Sequence, residues 1–289
     1  MKTMLSRIAK RPVIFLFIAI AVIPFIAYEQ FNPFTRQYGS MSVLLSQDYM
    51  SNLANLADGF SISVAGNPGL TFLSIFIGIL FVIALSLILG VAFGGYFQNL
   101  YMAVNDVPKK KHDFKLGINR HYAKLTVYFT LLIVTGLLLT TITLFSIVPF
   151  MIHLQMFLAG DSSVIFKMML LAVFTILFGY FSIVFYSMYM SFMVPAIIGF
   201  KKGGMLVSFK MTNGYCWYLM PRTTLFLILF AAVKIVMLVL GYGTAKGIRA
   251  AACFGVNWLL TTLIVFGYLY YVFNIFTVMK EDMFTTEEA

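Results

Sequence analysis

Charge is scarce in this chain and missing from long parts of it. Asp, Glu, Lys and Arg make up 10% of 289 residues, against roughly a quarter in an ordinary soluble domain. None occurs between Asp58 and Asp106, from Leu125 to Gly160, from Met168 to Phe200 or from Ala250 to Met279. A bilayer crossing needs about 20 apolar residues, so these runs read as membrane spans. They are unbroken rather than alternating, which excludes barrel strands and leaves helices, whose backbone groups satisfy one another. The predicted fold class is all-α, a polytopic helical bundle forming a single transmembrane domain over residues 1–289, with no room for a separate soluble catalytic domain.

Other absences narrow the chemistry. The two cysteines, Cys216 and Cys253, lack CxxC spacing, so no redox role is indicated. Phosphate-cradling and dinucleotide-binding glycine patterns are missing. His112, His121 and His153 lack metal-ligand spacing, and the first two are expected at the surface of a basic loop. No HExxH, paired carboxylates or Ser with a base falls within a span, so no enzyme, metal or cofactor is expected. All ten acidic residues are expected in connections or the tail, which disfavours ion-coupled transport because that commonly uses a buried carboxylate.

What is present sets the topology. Six spans are predicted, at about 12–28, 70–97, 125–149, 165–199, 223–242 and 251–279. The first follows Lys2, Arg7, Lys10 and Arg11 as a signal peptide would. Its exit, Phe25, Ile26, Ala27, Tyr28, has no small-x-small cleavage site, so an uncleaved anchor is expected. Fifteen of the 20 basic residues collect on alternate connections, whereas Arg36, Lys246 and Arg249 stand in the opposite ones. Because Lys and Arg in short connections stay cytoplasmic, both termini are predicted cytoplasmic, in a cell membrane. The net charge of +10 is then a topology signal, and nucleic acid is not an expected partner.

The external segment 29–69 places Met41, Leu44, Leu45, Tyr49, Leu53 and Leu56 at helical spacing, predicting a short surface helix that caps the bundle or binds a ligand. The cytoplasmic segments 105–124 and 200–222 are amphipathic and read as interfacial helices. Their Lys109, Lys110, Lys111, Lys115, Arg120, Lys201, Lys202 and Lys210 suit contact with anionic membrane lipids, each worth about 1 kcal/mol, or with a cytoplasmic protein partner. The two segments echo one another, Phe114-Lys115 matching Phe209-Lys210 and Tyr122 matching Trp217. A parallel internal repeat would explain this, and so would the general likeness of basic loops between apolar helices.

Phe114 and Gly117 leading to Leu125, Val194-Pro195-Ala196, and Gly203-Gly204 with Ser208 resemble patterns of bacterial six-helix proteins related to the membrane domain of some glycerophosphodiester phosphodiesterases. The resemblance covers roughly half the chain. It implies a fold and no catalytic residues, since the phosphodiesterase domain is absent.

Two features remain. Ser86, Gly90 and Gly94 recur every four residues, a small-residue ridge expected to pack closely on another helix. Lys234 lies in an apolar span, about 18 Å beyond Arg222 by helical rise, with no intramembrane carboxylate expected as partner. It reads as an anion or lipid contact, or as a lysine snorkelling to the outer interface. The expected function is a non-enzymatic membrane accessory or permease-like component working with a partner; the alternative is a transporter or channel for a small anionic or lipidic solute.

Overall fold

The computed structural model describes residues 11–31, 66, 68–200, 203–240 and 245–286. The amphipathic segment expected at 41–56 lies outside them, as do Lys201 and Lys202. Among the described residues the chain is helical and has no strand. The helices are α1 (Val13–Phe31), α2 (Pro68–Val104), α3 (Asp113–Leu158), α4 (Ile165–Gly199), α5 (Gly204–Gly214), α6 (Cys216–Val239) and α7 (Gly247–Thr286), with a 3-10 turn at Ser162–Val164 before α4. All except α5 are long and apolar enough to cross a membrane, which makes six.

Local chemistry sets the ends. Pro68 opens α2 at the helical position that needs no N–H donor. α2 closes where Asp106 adopts φ 53°, letting the Val107 N–H donate to the Met102 carbonyl at 2.9 Å. Asp113 in the first turn of α3 accepts from the Lys110 N–H at 2.8 Å, a carboxylate at the positive end of the helix. Asp161 caps the 3-10 turn by accepting from Ser163 N at 3.0 Å.

Helix lengths are the main departure from expectation. α3 runs for 46 residues, about 69 Å at 1.5 Å per residue, so its basic start at 113–124 is a rigid extension of the span. The corresponding stretch after α4 breaks into the separate 11-residue α5 and turns again at Tyr215. The sequence echo between the two segments therefore does not extend to their backbones.

The basic residues gather at one end, here the basic end. There Arg11 before α1 reaches the close of α2, and Lys280 near the end of α7 lies 5.0 Å over Phe200 at the end of α4. The core sits in the same half. Tyr96, Phe97, Leu100, Leu125, Met193, Ile197 and Phe273 form one buried cluster, and Phe192, Met211, Leu219 and Phe276 a second beside it.

α2 and α3 meet along the Ser86, Gly90, Gly94 ridge. A Cβ on Gly90 would lie 2.5 Å from Thr126 Oγ1, and one on Gly94 3.3 Å from Ile118 Cα. Gly117 completes the contact, its place for a Cβ being 2.6 Å from Gln98 Cβ. Ser86 is fully buried and donates to the Val82 carbonyl at 2.7 Å.

At the far end the helices part. Every residue from 72 to 81 on α2 is exposed. α3 and α4 stay paired as a hairpin held by Thr175 Oγ1 donating to the Ser146 carbonyl at 3.1 Å. The threonines of α3 return their hydroxyls to carbonyls one turn back, as at Thr130, Thr140 and Thr143, which removes unsatisfied donors from an apolar setting.

Candidate functional site

The chain's intramembrane charge has a partner. Lys234 on α6 donates to Glu29 Oε2 on α1 at 2.6 Å and to Asn257 Oδ1 on α7 at 3.2 Å. This corrects the expectation that no carboxylate is available and that every acidic residue stands in a connection or tail. α1 runs through Phe31, three residues past its predicted end, and so carries Glu29 on its last turn into contact with α6.

Asn257 is fully buried and ties the pair together. Its Nδ2 lies 3.4 Å from Glu29 Oε2, and its Oδ1 also accepts from Thr261 Oγ1 at 3.2 Å. The Phe230 ring lies 5.3 Å from the ammonium, within cation–π reach. The ions keep 23% and 35% of their side-chain surface, so the pair is half-buried at the edge of the bundle rather than sealed in it.

Neighbouring bonds fasten α1 to α7. Trp258 Nε1 donates to the Ala19 carbonyl at 2.7 Å, and Gln30 Nε2 to the Ala250 carbonyl at 3.1 Å. Opposite charges 2.6 Å apart cancel, so the cluster presents polarity with no net charge. It offers neither a nucleophile with its base nor a metal cage; no group of three potential metal ligands occurs among the described residues. Its chemistry is that of an exchangeable ion pair and a helix clamp.

A second polar cluster sits at the basic end. Arg11 is 5% exposed, donates to the Val107 carbonyl at 2.7 Å and to Asn99 Oδ1 at 3.2 Å, and lies 3.8 Å from Asp113 Oδ2. Beyond it Tyr215 donates to Asp282 and Tyr189 to Asn213, tying the α5–α6 turn to α7 and α4. The hydrogen bond to the Asp282 carboxylate pushes the Tyr215 phenol up from its ordinary value.

The predicted basic surface is spread out. Lys109, Lys110 and Lys111 are exposed on the α2–α3 connection, Lys115 and Arg120 on the extended start of α3, and Lys210 on α5. His121 corrects the expectation of a surface residue: it is 2% exposed, because α3 is already packed on α2 at that depth, and neither ring nitrogen has a partner among the described residues. His112 is exposed, and His153 pairs its Nδ1 with the Pro149 carbonyl at 2.8 Å.

Comparison with family models, curated proteins and solved structures finds no match to this chain. It is an all-α bundle, and the six long apolar helices among its described residues make it a multi-pass membrane protein.

Proposed function

We propose that the chain is a non-enzymatic membrane component that works with a partner protein, and that its far half receives the partner's membrane helices. The observation that carries this reading is α2, exposed on every side over residues 72–81 while its other half is packed on α3. Helices associate in lipid through close side-chain packing, and α2 leaves half its length available for it. The pairing of Lys234 with Glu29 fits the same reading, because no charge at that site is left over for an anion. The resemblance to the phosphodiesterase-associated membrane domain agrees with such a role and assigns no residue a function.

In this reading the basic end faces the cytoplasm of a cell membrane. Reporter fusions after Arg120 and after Met211 should report cytoplasm, and fusions near Asn55 and Gly243 the exterior; a reversed pair refutes that orientation. The partner is tested with a photocrosslinking amino acid at Ile79 in cells, followed by purification. The expected product is one membrane protein in stoichiometric yield, crosslinked from Ile79 and not from Trp217 at the basic end. Adducts with lipid alone would refute the reading.

A second reading, transport of a small anionic or lipidic solute, draws on the half-exposure of the ion pair, since an incoming anion could displace Glu29 from Lys234. It requires Lys234→Met to abolish cellular activity at unchanged expression, with Lys234→Arg retaining part of it. Wild-type activity in Lys234→Met excludes it.

A further inference from the structure

We infer that His121 is a proton-linked latch: neutral, it lets α2 and α3 close on one another, and protonated, it is expelled from their contact, so that acid at the basic end loosens the two helices.

The setting of the ring carries this. His121 is 2% exposed, and both ring nitrogens are buried with no partner among the described residues. α3 touches the glycines of α2 on either side of it: a Cβ on Gly94 would lie 3.3 Å from Ile118 Cα, and one on Gly90 3.0 Å from the Tyr122 carbonyl oxygen. Leu125 and Tyr128, four and seven residues on, continue the same face into the buried core. Gln98 lies at this contact too, its Cβ 2.6 Å from the place for a Cβ on Gly117, and its Oε1 is likewise buried and unpartnered. Unpaired polar groups weaken such a packing, whereas an apolar side chain would fill it without that loss. A histidine here trades stability for the ability to take up a proton.

A charged ring has nothing to hold it in place. An imidazolium needs both N–H groups bonded or hydrated, and it needs an anion when it is buried. The charges that act on His121 are cations of its own helix, the exposed Arg120 and Lys124. Asp113, in the first turn of α3, is engaged by Arg11 and by the Lys110 N–H. α2 and α4 bring to this half no charged residue, only the phenols Tyr96, Tyr101, Tyr186 and Tyr189, and α5 brings Lys210, a further cation.

His121 precedes the charge-free run that starts at Leu125. Burial, reinforced by Arg120 and Lys124, lowers the ring from 6.5 to about 4. Above the ordinary value the ring is neutral whether the contact is open or closed, and the contact has its full stability. As pH falls from there toward the closed value, the open form binds the proton and gains population. Between about pH 7.5 and about pH 5.5 the ratio of open to closed should rise about tenfold. This inference does not depend on what covers the far half.

The test uses the full chain purified in detergent. Hydrogen–deuterium exchange of the amides at 88–98 and 117–126 is measured at both pH values and divided by the intrinsic chemical rate at each, which gives the opening ratio. In the wild type that ratio should rise about tenfold in acid; in His121→Phe and His121→Gln it should stay unchanged. Carbon-13 NMR of histidine-labelled protein carrying His112→Gln and His153→Gln reads the ring directly and keeps the proposal testable if the His121 variants fail to fold. The ring should remain neutral at about pH 5.5. A wild-type opening ratio that does not change with pH, the same rise in His121→Phe, or a ring that titrates near its ordinary value in the folded chain would each overturn the proposal.

Discussion

The two halves of the bundle are held together by different physics. At the basic end helices approach until glycines touch backbone, aromatic rings fill the gaps, and Arg11 is closed in by three partners. At the far end α2 stands bare, α3 and α4 form a hairpin, and α1, α6 and α7 are joined by a few polar bonds around Lys234. Close packing is unforgiving of added volume. Polar clamps are sensitive to lost partners. One chain therefore carries a rigid half and an adjustable half.

The largest contrast should come from volume. Gly90→Leu would drive a side chain into Thr126 and the Tyr122 carbonyl and should cost about 1–3 kcal/mol or more by overpacking. Gly78→Leu, with nothing within 4 Å of a Cβ, should leave the unfolding midpoint in detergent nearly unchanged. Equal effects at the two positions would erase the distinction between the halves.

Charge gives the next contrast. Arg11→Met would leave Asp113 and the Val107 carbonyl without the guanidinium in a buried setting, costing about 2–3 kcal/mol. Glu29→Gln or Lys234→Met alone should cost about 1–2 kcal/mol, discounted because both ions keep contact with the surroundings. The Glu29→Gln/Lys234→Met double variant should recover most of that loss. A double-mutant cycle on thermal unfolding reads the coupling directly, and a double variant as unstable as the sum of the singles would show that the two do not act as a pair.

Much of this was legible and some was not. The charge-free runs announced the spans because lipid tolerates few charges, and the four-residue spacing of Ser86, Gly90 and Gly94 announced a packing face. The helical start of α3 was hidden, because a charged amphipathic stretch before a span looks the same whether it lies on the membrane or continues the helix. Glu29 was hidden by distance: it meets Lys234 across 205 positions of sequence, a pairing no local pattern encodes. Gly117 and the burial of His121 share that origin, since each depends on which face of α3 meets α2.

The smallest effect concerns the far turn. The Asp161 carboxyl is held below its ordinary range by the side-chain hydrogen bond from Ser163, helped by the Ser163 N–H. A depressed folded value means the contribution is present above the unfolded value, near 3.8, and is lost as pH falls through the folded one. Amide exchange at 162–165 should quicken in Asp161→Asn and, in the wild type, only at strongly acidic pH. Quickening already at neutral pH in the wild type would show that the cap does not hold the turn.

The unbroken length of α3 gives the molecule a lever. Its fulcrum is the contact of Gly90 with Thr126, and beyond Thr126 the helix continues to Leu158, about 48 Å at 1.5 Å per residue. Rotation of about 5° at the fulcrum would swing that tip by about 4 Å, and the α3–α4 hairpin would carry α4 with it. A displacement too small to break the packing at the basic end is thereby converted into a movement the width of a methyl group on the opposite side of the membrane.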